Sequence, residues 1–172
     1  MQSARYTQDR RDALAALDLK SIDAPIVDII VGFAALPHCF TLQSCYGHFV
    51  YGPDQSPHNL EPIAAGCCGP VTYRIAYLAL CLDNSRCGRA LRGALARVPE
   101  VAPGYIQFGS PDWFWERWAN SYALQVEPPA HRLKDEAVLE PAEAIRIQKA
   151  RALFFGEIRA LLVAETRGHL AG

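Results

Sequence analysis

The stretch from Cys39 to Tyr51, which reads Cys-Phe-Thr-Leu-Gln-Ser-Cys-Tyr-Gly-His-Phe-Val-Tyr, constrains the fold more than any other. Its two ends are short apolar runs typical of β-strands, and residues 43–48 between them are polar, small or reactive. We therefore expect a hairpin in which Gly47 supplies the positive φ of the turn. A thiol, a hydroxyl and an imidazole are more than a turn needs, so this connector is predicted to carry the functional site.

Length and composition favour one domain spanning residues 1–172. The chain is 51% hydrophobic and 20% charged, which is typical of a globular protein that buries a core without disulfides or metal ions. No apolar run approaches the roughly 20 residues of a membrane helix, and residues 1–12 are too polar for a signal peptide. We expect a cytoplasmic protein with no membrane contact, whose six cysteines are thiols.

The charge balance limits the kind of partner. A net charge of -1 argues against a broad surface for nucleic-acid phosphates. A local basic patch is one interpretation of Arg86, Arg89, Arg92 and Arg97. Their spacing is also that of a solvated helix face, which we favour.

Hydrophobic periodicity and capping residues predict a strand-rich α+β order that resembles two related halves. Ser21 or Asp23 is expected to cap the second helix, and although Asp23 could be functional, a cap is the simpler interpretation. The residues 83–85 are expected to cap the third helix. The predicted helices are residues 6–19, 23–35, 86–98 and 142–166, and the predicted strands after the hairpin are 71–82, 105–108 and 122–128.

The long segment 52–69 has no periodicity and contains three prolines, so we expect a loop. Together with the hairpin it offers enough donors for zinc: Cys45, His48, His58, Cys67 and Cys68. Two adjacent cysteines lack the spacing of a zinc knuckle, however. Small buried thiols and a surface histidine are the favoured interpretation, and no metal site is predicted.

Two further patterns allow a functional and a structural interpretation. All three tryptophans lie between Trp113 and Trp118, where they could stack on a nucleobase or close a core. Cys45 and His48 could form a nucleophile and its base, although reactivity requires a lowered thiol pKa. Arg74 and Glu127 are weaker candidates, because each is a charged residue in a strand that otherwise faces the core.

Two segments carry a resemblance to a known family. The run Lys-Ser-Ile-Asp-Ala-Pro-Ile-Val-Asp-Ile-Ile from Lys20, followed by residues 39–48, resembles the tRNA wybutosine-synthesizing protein 3 family. Members begin a helix at Gly-Ser-(Ile/Val)-Asp and end a strand at Phe-Thr-Thr-Ser-Ser-Cys-(Ser/Ala)-Gly-Arg. Ser44, Cys45 and Gly47 match this motif, and His48 stands at the position of its arginine.

The resemblance implies duplicated β-α-β-β units that close an antiparallel barrel. Combined with the element order, it predicts an α+β fold with an antiparallel sheet or barrel and flanking helices. It also implies methyl transfer from S-adenosyl-L-methionine to a modified guanosine of phenylalanine tRNA. Because no Gly-x-Gly-x-x-Gly follows a strand, the donor is not expected to bind in a doubly wound domain.

We therefore predict a methyltransferase-like protein acting on tRNA or a nucleotide-like substrate, with Ser44, Cys45 and His48 as catalytic residues. Backbone amides of the connector would hold the methionine carboxylate of S-adenosyl-L-methionine, and an aromatic residue would stack on its adenine. Gln43, Gly47 and Trp113 are the predicted cofactor-binding residues. The alternative is a non-catalytic domain of the same fold that binds a small ligand or a protein partner.

Overall fold

The computed structural model of the chain describes residues 4–110, 120–132 and 134–170. These contain four α-helices, seven strands and four short 3-10 turns. The helices are α1 Ala4–Ala16, α2 Val27–Ala35, α3 Arg86–Leu95 and α4 Pro141–Leu170. The strands are β1 Cys39–Cys45, β2 His48–Val50, β3 Val71–Arg74, β4 Ala76–Leu82, β5 Ile106–Gly109, β6 Ser121–Val126 and β7 Glu136–Leu139.

The strands form two antiparallel sheets. One has four strands in the order β1-β4-β6-β5, and the other has three in the order β2-β3-β7. The prediction of an α+β fold with antiparallel strands and flanking helices is confirmed. Of the two predicted arrangements, the open sheet is observed, because the strands of the described residues divide between two sheets and do not close into a barrel.

The chain crosses between the two sheets at positions that lie close together. Tyr46 and Gly47 join β1 to β2, and Ile75 joins β3 to β4. A third crossing joins β6 to β7, and its described residues are 127–132, 134 and 135. The backbone N–H of Ile75 donates to the carbonyl of Asp135, which ties two of these crossings together. We call the region formed by these crossings the sheet junction.

The predicted hairpin at residues 39–51 is wrong. β1 pairs with β4, whereas β2 pairs with β3, so the two strands lie in different sheets. The single strand predicted for residues 71–82 is likewise two strands, interrupted at the buried Ile75. Period-two alternation reports which residues are buried, but it does not report which strand is the hydrogen-bonding partner.

The Tyr73 hydroxyl supports the interruption between β3 and β4. It accepts a hydrogen bond from the backbone N–H of Ala76 at 2.9 Å and donates to the carbonyl of Val126 at 2.9 Å. Buried backbone groups that leave a sheet ladder need other partners. One fully buried tyrosine therefore satisfies polar groups from both sides of the sheet junction.

The helices cover the sheets through apolar faces. Ile29, Ile30 and Phe33 of α2 are fully buried, as are Ile147, Phe154 and Ile158 of α4. Ser85 caps α3 as predicted, accepting a hydrogen bond from the N–H of Gly88 at 3.1 Å. The third helix is shorter than predicted, because the chain changes to a 3-10 turn at Val98–Val101, which contains Pro99.

The predicted cap at the second helix is wrong. Asp23 precedes a 3-10 turn, Ala24–Ile26, but its side chain makes no capping hydrogen bond. It points instead to the connector between β1 and β2. Separately, no helix in the described ranges is long and apolar enough to cross a membrane.

Candidate functional site

A polar cavity of about 310 Å³ lies at the sheet junction. We call it the junction cavity. Its lining combines two carboxylates, two imidazoles, a guanidinium, a thiol and three hydroxyl groups. The lining residues are Ser21, Asp23, Ser44, Cys45, His48, His58, Arg74, Ile75, Tyr77 and Asp135. This volume is at the lower end of the range for small-molecule sites.

Asp23, Cys45 and His48 form a compact cluster in the wall of the cavity. One potential ligand atom from each lies within 4.8 Å of the other two. The Asp23 carboxylate is fixed by the backbone N–H of Tyr46, which donates to Oδ2 at 2.8 Å. Cys45 ends β1 and His48 begins β2, so the crossing between the sheets itself places the thiol and the imidazole side by side.

The His48 ring is held from two sides and is only 2% exposed. Nδ1 lies 3.2 Å from the carbonyl oxygen of Asn59, and Nε2 lies 3.5 Å from Oδ2 of Asp23. Burial lowers the pKa of His48, and the nearby Asp23 carboxylate opposes that shift without cancelling it. A neutral imidazole with one nitrogen free to accept is therefore favoured near pH 7.

Cys45 is not an activated nucleophile in this arrangement. Burial raises the pKa of the Cys45 thiol to about 11, so the thiol is protonated near pH 7. Its sulfur accepts a hydrogen bond from the backbone N–H of Gly47 at 3.4 Å. This environment disfavours the interpretation of Cys45 and His48 as a nucleophile and its base.

Gly47 has a structural reason to be glycine. Its φ is +86°, and an added Cβ would lie 2.8 Å from the Cβ of Ala76 and 3.0 Å from its backbone nitrogen. The expectation that connector amides hold a ligand carboxylate is wrong for two of them. Tyr46 donates to Asp23 and Gly47 donates to Cys45, so both N–H groups already have partners within the chain.

A buried arginine lies beneath the connector. Arg151 of α4 is 3% exposed, and its guanidinium lies 4.0 Å from the ring centre of Tyr46 and 4.8 Å from that of Phe49. Nη1 donates to the carbonyl of Gly47 at 2.5 Å. Burial lowers the pKa of Arg151, but the group remains charged because arginine starts from so high a value. Through Arg151, α4 therefore holds the segment between β1 and β2 in position.

A second cavity, of about 340 Å³, adjoins the first along β1. We call it the helix cavity, because α1 and the turn that follows it supply much of its wall. It shares Ser21 and Ser44 with the junction cavity. Gln43 lines this second cavity and not the first, and its Oε1 is 3.5 Å from the Tyr77 hydroxyl. The lining residues are Ala13, Ala16, Leu17, Asp18, Ser21, Ile22, Thr41, Leu42, Gln43 and Ser44.

The structure thus brings Ser44, Cys45 and His48 to one cavity and places Gly47 behind it as a backbone element. Trp113 lies outside the described residues. Arg74, at the end of β3, is exposed and lines the junction cavity. Glu127 is 1% exposed, accepts a hydrogen bond from Gln125 at 3.2 Å and does not line that cavity.

The other candidates lie apart from the junction cavity. Cys68 is exposed and Cys67 is half-buried, and neither lines it. All six cysteines are free thiols. The four arginines near α3 are exposed, as expected for a solvated helix face: Arg86, Arg89, Arg92 and Arg97.

Sequence reasoning assigned no site role to Asp135 and Arg151, and it treated Asp23 as a cap. Asp23 is 23 positions from Tyr46, and no local pattern connects them. For Arg151 a signal was present, because an arginine four residues after Ile147 and four before Phe155 lies on the apolar face of a helix. A charged residue on such a face needs a specific buried partner, which here is the Gly47 carbonyl.

Comparison with known proteins gives similarity of fold alone. No family model matches the sequence, and no curated protein matches it. Among solved structures, the PH1069 protein from Pyrococcus horikoshii is similar over 94% of both chains, with a TM-score of 0.50 at 10% identity. A hypothetical protein from Aeropyrum pernix is similar over 84% of this chain and 96% of that one, with a TM-score of 0.40 at 13% identity. The first similarity indicates that this arrangement of helices and strands is shared by the PH1069 protein.

Proposed function

We propose that the protein is an S-adenosyl-L-methionine-dependent methyltransferase acting on a nucleobase, presented on tRNA or as a nucleotide. The observation that carries the proposal is that the two cavities share two lining residues, Ser21 and Ser44. Methyl transfer from a sulfonium requires above all that donor and acceptor be aligned at one point. Two cavities with a shared boundary supply that arrangement.

The charges of the junction cavity suit the methionine end of the donor. Arg74 offers a guanidinium for the carboxylate, and Asp135 offers a carboxylate for the ammonium group. Arg74 also takes the role first expected of the connector amides, since those of Tyr46 and Gly47 have other partners. The sulfonium would then lie near Ser44, at the boundary with the helix cavity.

The helix cavity suits a planar, weakly polar acceptor. Its wall includes Leu17, Ile22 and Leu42, and Gln43 supplies an amide that can pair with a base edge. The Ser44 hydroxyl, at the boundary, can orient the acceptor nitrogen toward the methyl group. A neutral His48 imidazole can accept the proton released from that nitrogen.

The first test is calorimetric titration with S-adenosyl-L-methionine on the wild type and on Arg74→Gln. We expect micromolar binding, about -8 kcal/mol, that weakens about tenfold or more in the variant, because the donor carboxylate loses its charged partner. Arg86→Gln is the matched control, since Arg86 is an exposed arginine on α3. Equal affinity of all three proteins would contradict the assigned site.

A second measurement separates catalysis from ligand binding. Radiolabelled donor is incubated with bulk tRNA and with purine nucleotides, and transferred label is counted for the wild type and for Ser44→Ala. Transfer that falls at least tenfold in the variant, with donor affinity unchanged, supports the role of Ser44 in alignment. Donor binding without transfer to any acceptor favours the non-catalytic ligand-binding alternative, and no donor binding up to millimolar concentration excludes the proposal.

A further inference from the structure

We propose that Asp23, Cys45 and His48 form a three-ligand site for a divalent transition-metal ion of the zinc class. The remaining coordination position would face the junction cavity. The inference rests on the geometry of these three side chains and does not depend on methyl transfer. With an ion bound, His48 would be a ligand and could not also accept a proton, so these two roles of His48 are alternatives. The inference departs from the sequence prediction that no metal is bound.

The donor set is specific in chemical type. It offers a carboxylate oxygen, a thiol sulfur and an imidazole nitrogen within 4.8 Å of one another. Sulfur and nitrogen ligands favour zinc or cobalt, whereas magnesium and calcium prefer an all-oxygen shell. Three protein ligands with one position left open is the usual arrangement of a catalytic zinc ion.

The orientation of His48 is that of a metal ligand. A backbone carbonyl can only accept, so the hydrogen bond with Asn59 places the imidazole proton on Nδ1. In the neutral ring, which is the form that binds a metal ion, the lone pair of Nε2 is directed toward another acceptor, Oδ2 of Asp23, at 3.5 Å. His48 is 2% exposed and the Asp23 side chain 21% exposed, and two acceptors that face each other in such a partly buried site gain from a cation held between them.

The separation of the two atoms also fits a metal ion. Hydrogen bonds between nitrogen and oxygen are usually no longer than about 3.2 Å. Zinc bonds of about 2.0–2.2 Å to nitrogen and oxygen place neighbouring tetrahedral ligands about 3.4 Å apart. The observed 3.5 Å between Nε2 of His48 and Oδ2 of Asp23 is therefore close to the spacing that a bound ion requires.

Each of the three proposed ligands is oriented by a hydrogen bond to a backbone group, as is usual in metal sites. The Asn59 carbonyl orients His48, the Tyr46 N–H holds Asp23, and the Gly47 N–H donates to the Cys45 sulfur. On binding, the thiol proton passes to solvent and sulfur coordinates as thiolate. The thiolate and the carboxylate together neutralise the charge of the dication.

His58 lies next to the proposed metal site, in the lining of the junction cavity. Its ring centre is 5.3 Å from that of His48, and it lines the cavity without belonging to the three-residue cluster. Among the residues that the structure describes, no other group of three such side chains meets the same distance criterion. Cys67 and Cys68, which sequence analysis also considered, are not members of the cluster.

The test is cobalt titration of protein that has been dialysed against a chelator and then freed of it. We expect one equivalent of Co²⁺ to bind, with a near-ultraviolet thiolate-to-cobalt band, and Zn²⁺ to displace it. A zinc concentration a hundredfold above Kd should raise the Tm by about 5–10 °C. Wild type that binds no cobalt at stoichiometric concentration would overturn the proposal without any variant having to fold.

Variants identify the ligands. Cys45→Ser should abolish the thiolate band, whereas Cys87→Ser, an exposed cysteine of α3, should leave it unchanged. His48→Gln should weaken cobalt binding more than about a hundredfold, and His58→Ala should keep one equivalent. Near-ultraviolet circular dichroism checks that each variant folds. A band that persists in folded Cys45→Ser would refute the site, and because no methyl donor is present, the result is separate from the fate of the proposed transferase activity.

Discussion

Two arginines of the same helix, Arg151 and Arg159, lie in contrasting environments, one buried and one at the surface. Arg151 is 3% exposed, lies against two aromatic rings and donates to the backbone carbonyl of Gly47. The Arg159 side chain is 43% exposed. It donates to both carboxylate oxygens of Asp28, at 2.6 and 3.0 Å, and to the half-buried carbonyl of Pro25 at 2.6 Å. One arginine fixes the sheet junction, and the other joins α4 to α2 at the surface.

We expect the buried hydrogen bond of Arg151 to contribute more to the free energy of unfolding than the exposed ion pair of Arg159. An exposed ion pair is screened by water and typically contributes about 0.2–1 kcal/mol, and a bidentate pair such as Arg159–Asp28 lies at the upper end of that range. A buried hydrogen bond whose loss leaves a carbonyl unpaired costs about 1–3 kcal/mol. We therefore expect Arg151 to contribute more than Arg159 to stability and to the shape of the site.

The largest expected effect comes from the acceptor of Arg151. Gly47→Ala should lower the free energy of unfolding by about 3 kcal/mol, because a side chain is strained at φ +86° and its Cβ meets Ala76. Gly66→Ala is the matched control, since Gly66 has φ +89° with nothing within 4 Å of the added Cβ. It should lose only about 1 kcal/mol in urea denaturation. Equal losses would show that crowding at the sheet junction is unimportant.

Arg151→Lys tests the buried arginine itself. The charge remains, but the planar fork that reaches the Gly47 carbonyl while stacking on Tyr46 is lost, and we expect a loss of about 2 kcal/mol. Arg159→Lys is the control on the same helix. Its contacts with Asp28 and the Pro25 carbonyl are partly exposed, so it should change stability by less than about 1 kcal/mol. Chemical denaturation measures the loss in the free energy of unfolding for both variants. A larger loss for Arg159→Lys than for Arg151→Lys would contradict the prediction.

The smallest effect is expected at Asp28. Its hydrogen bond with Arg159 lowers the pKa of Asp28, so the ion pair contributes stability above the unfolded value of about 3.9 and loses it as pH falls through the folded value. Because the carboxylate is 57% exposed, Asp28→Asn should cost less than about 0.5 kcal/mol at pH 7. The difference from wild type should vanish near pH 2 in thermal unfolding scans, and a difference that persists there would contradict an electrostatic origin.

The sequence predicted one part of the candidate site and missed another. The stretch 43–48 was recognised from its own composition, since Ser44, Cys45 and His48 lie within five residues. The cavity that these residues share was not predicted, because its other lining residues include Asp23, Arg74 and Asp135, which lie in distant parts of the chain. A local pattern carries no information about such partners.

By itself the sequence determined the α+β class, the approximate helices, the Ser85 cap and the chemical richness of residues 43–48, because each depends on neighbours a few positions away. Only the tertiary structure decided that β1 and β2 enter different sheets, that Asp23 meets Tyr46 and His48, and that Arg151 supports Gly47. Strand pairing and the burial of polar groups are set by hydrogen-bond partners far along the chain, and the lowest free energy of the whole molecule selects those partners.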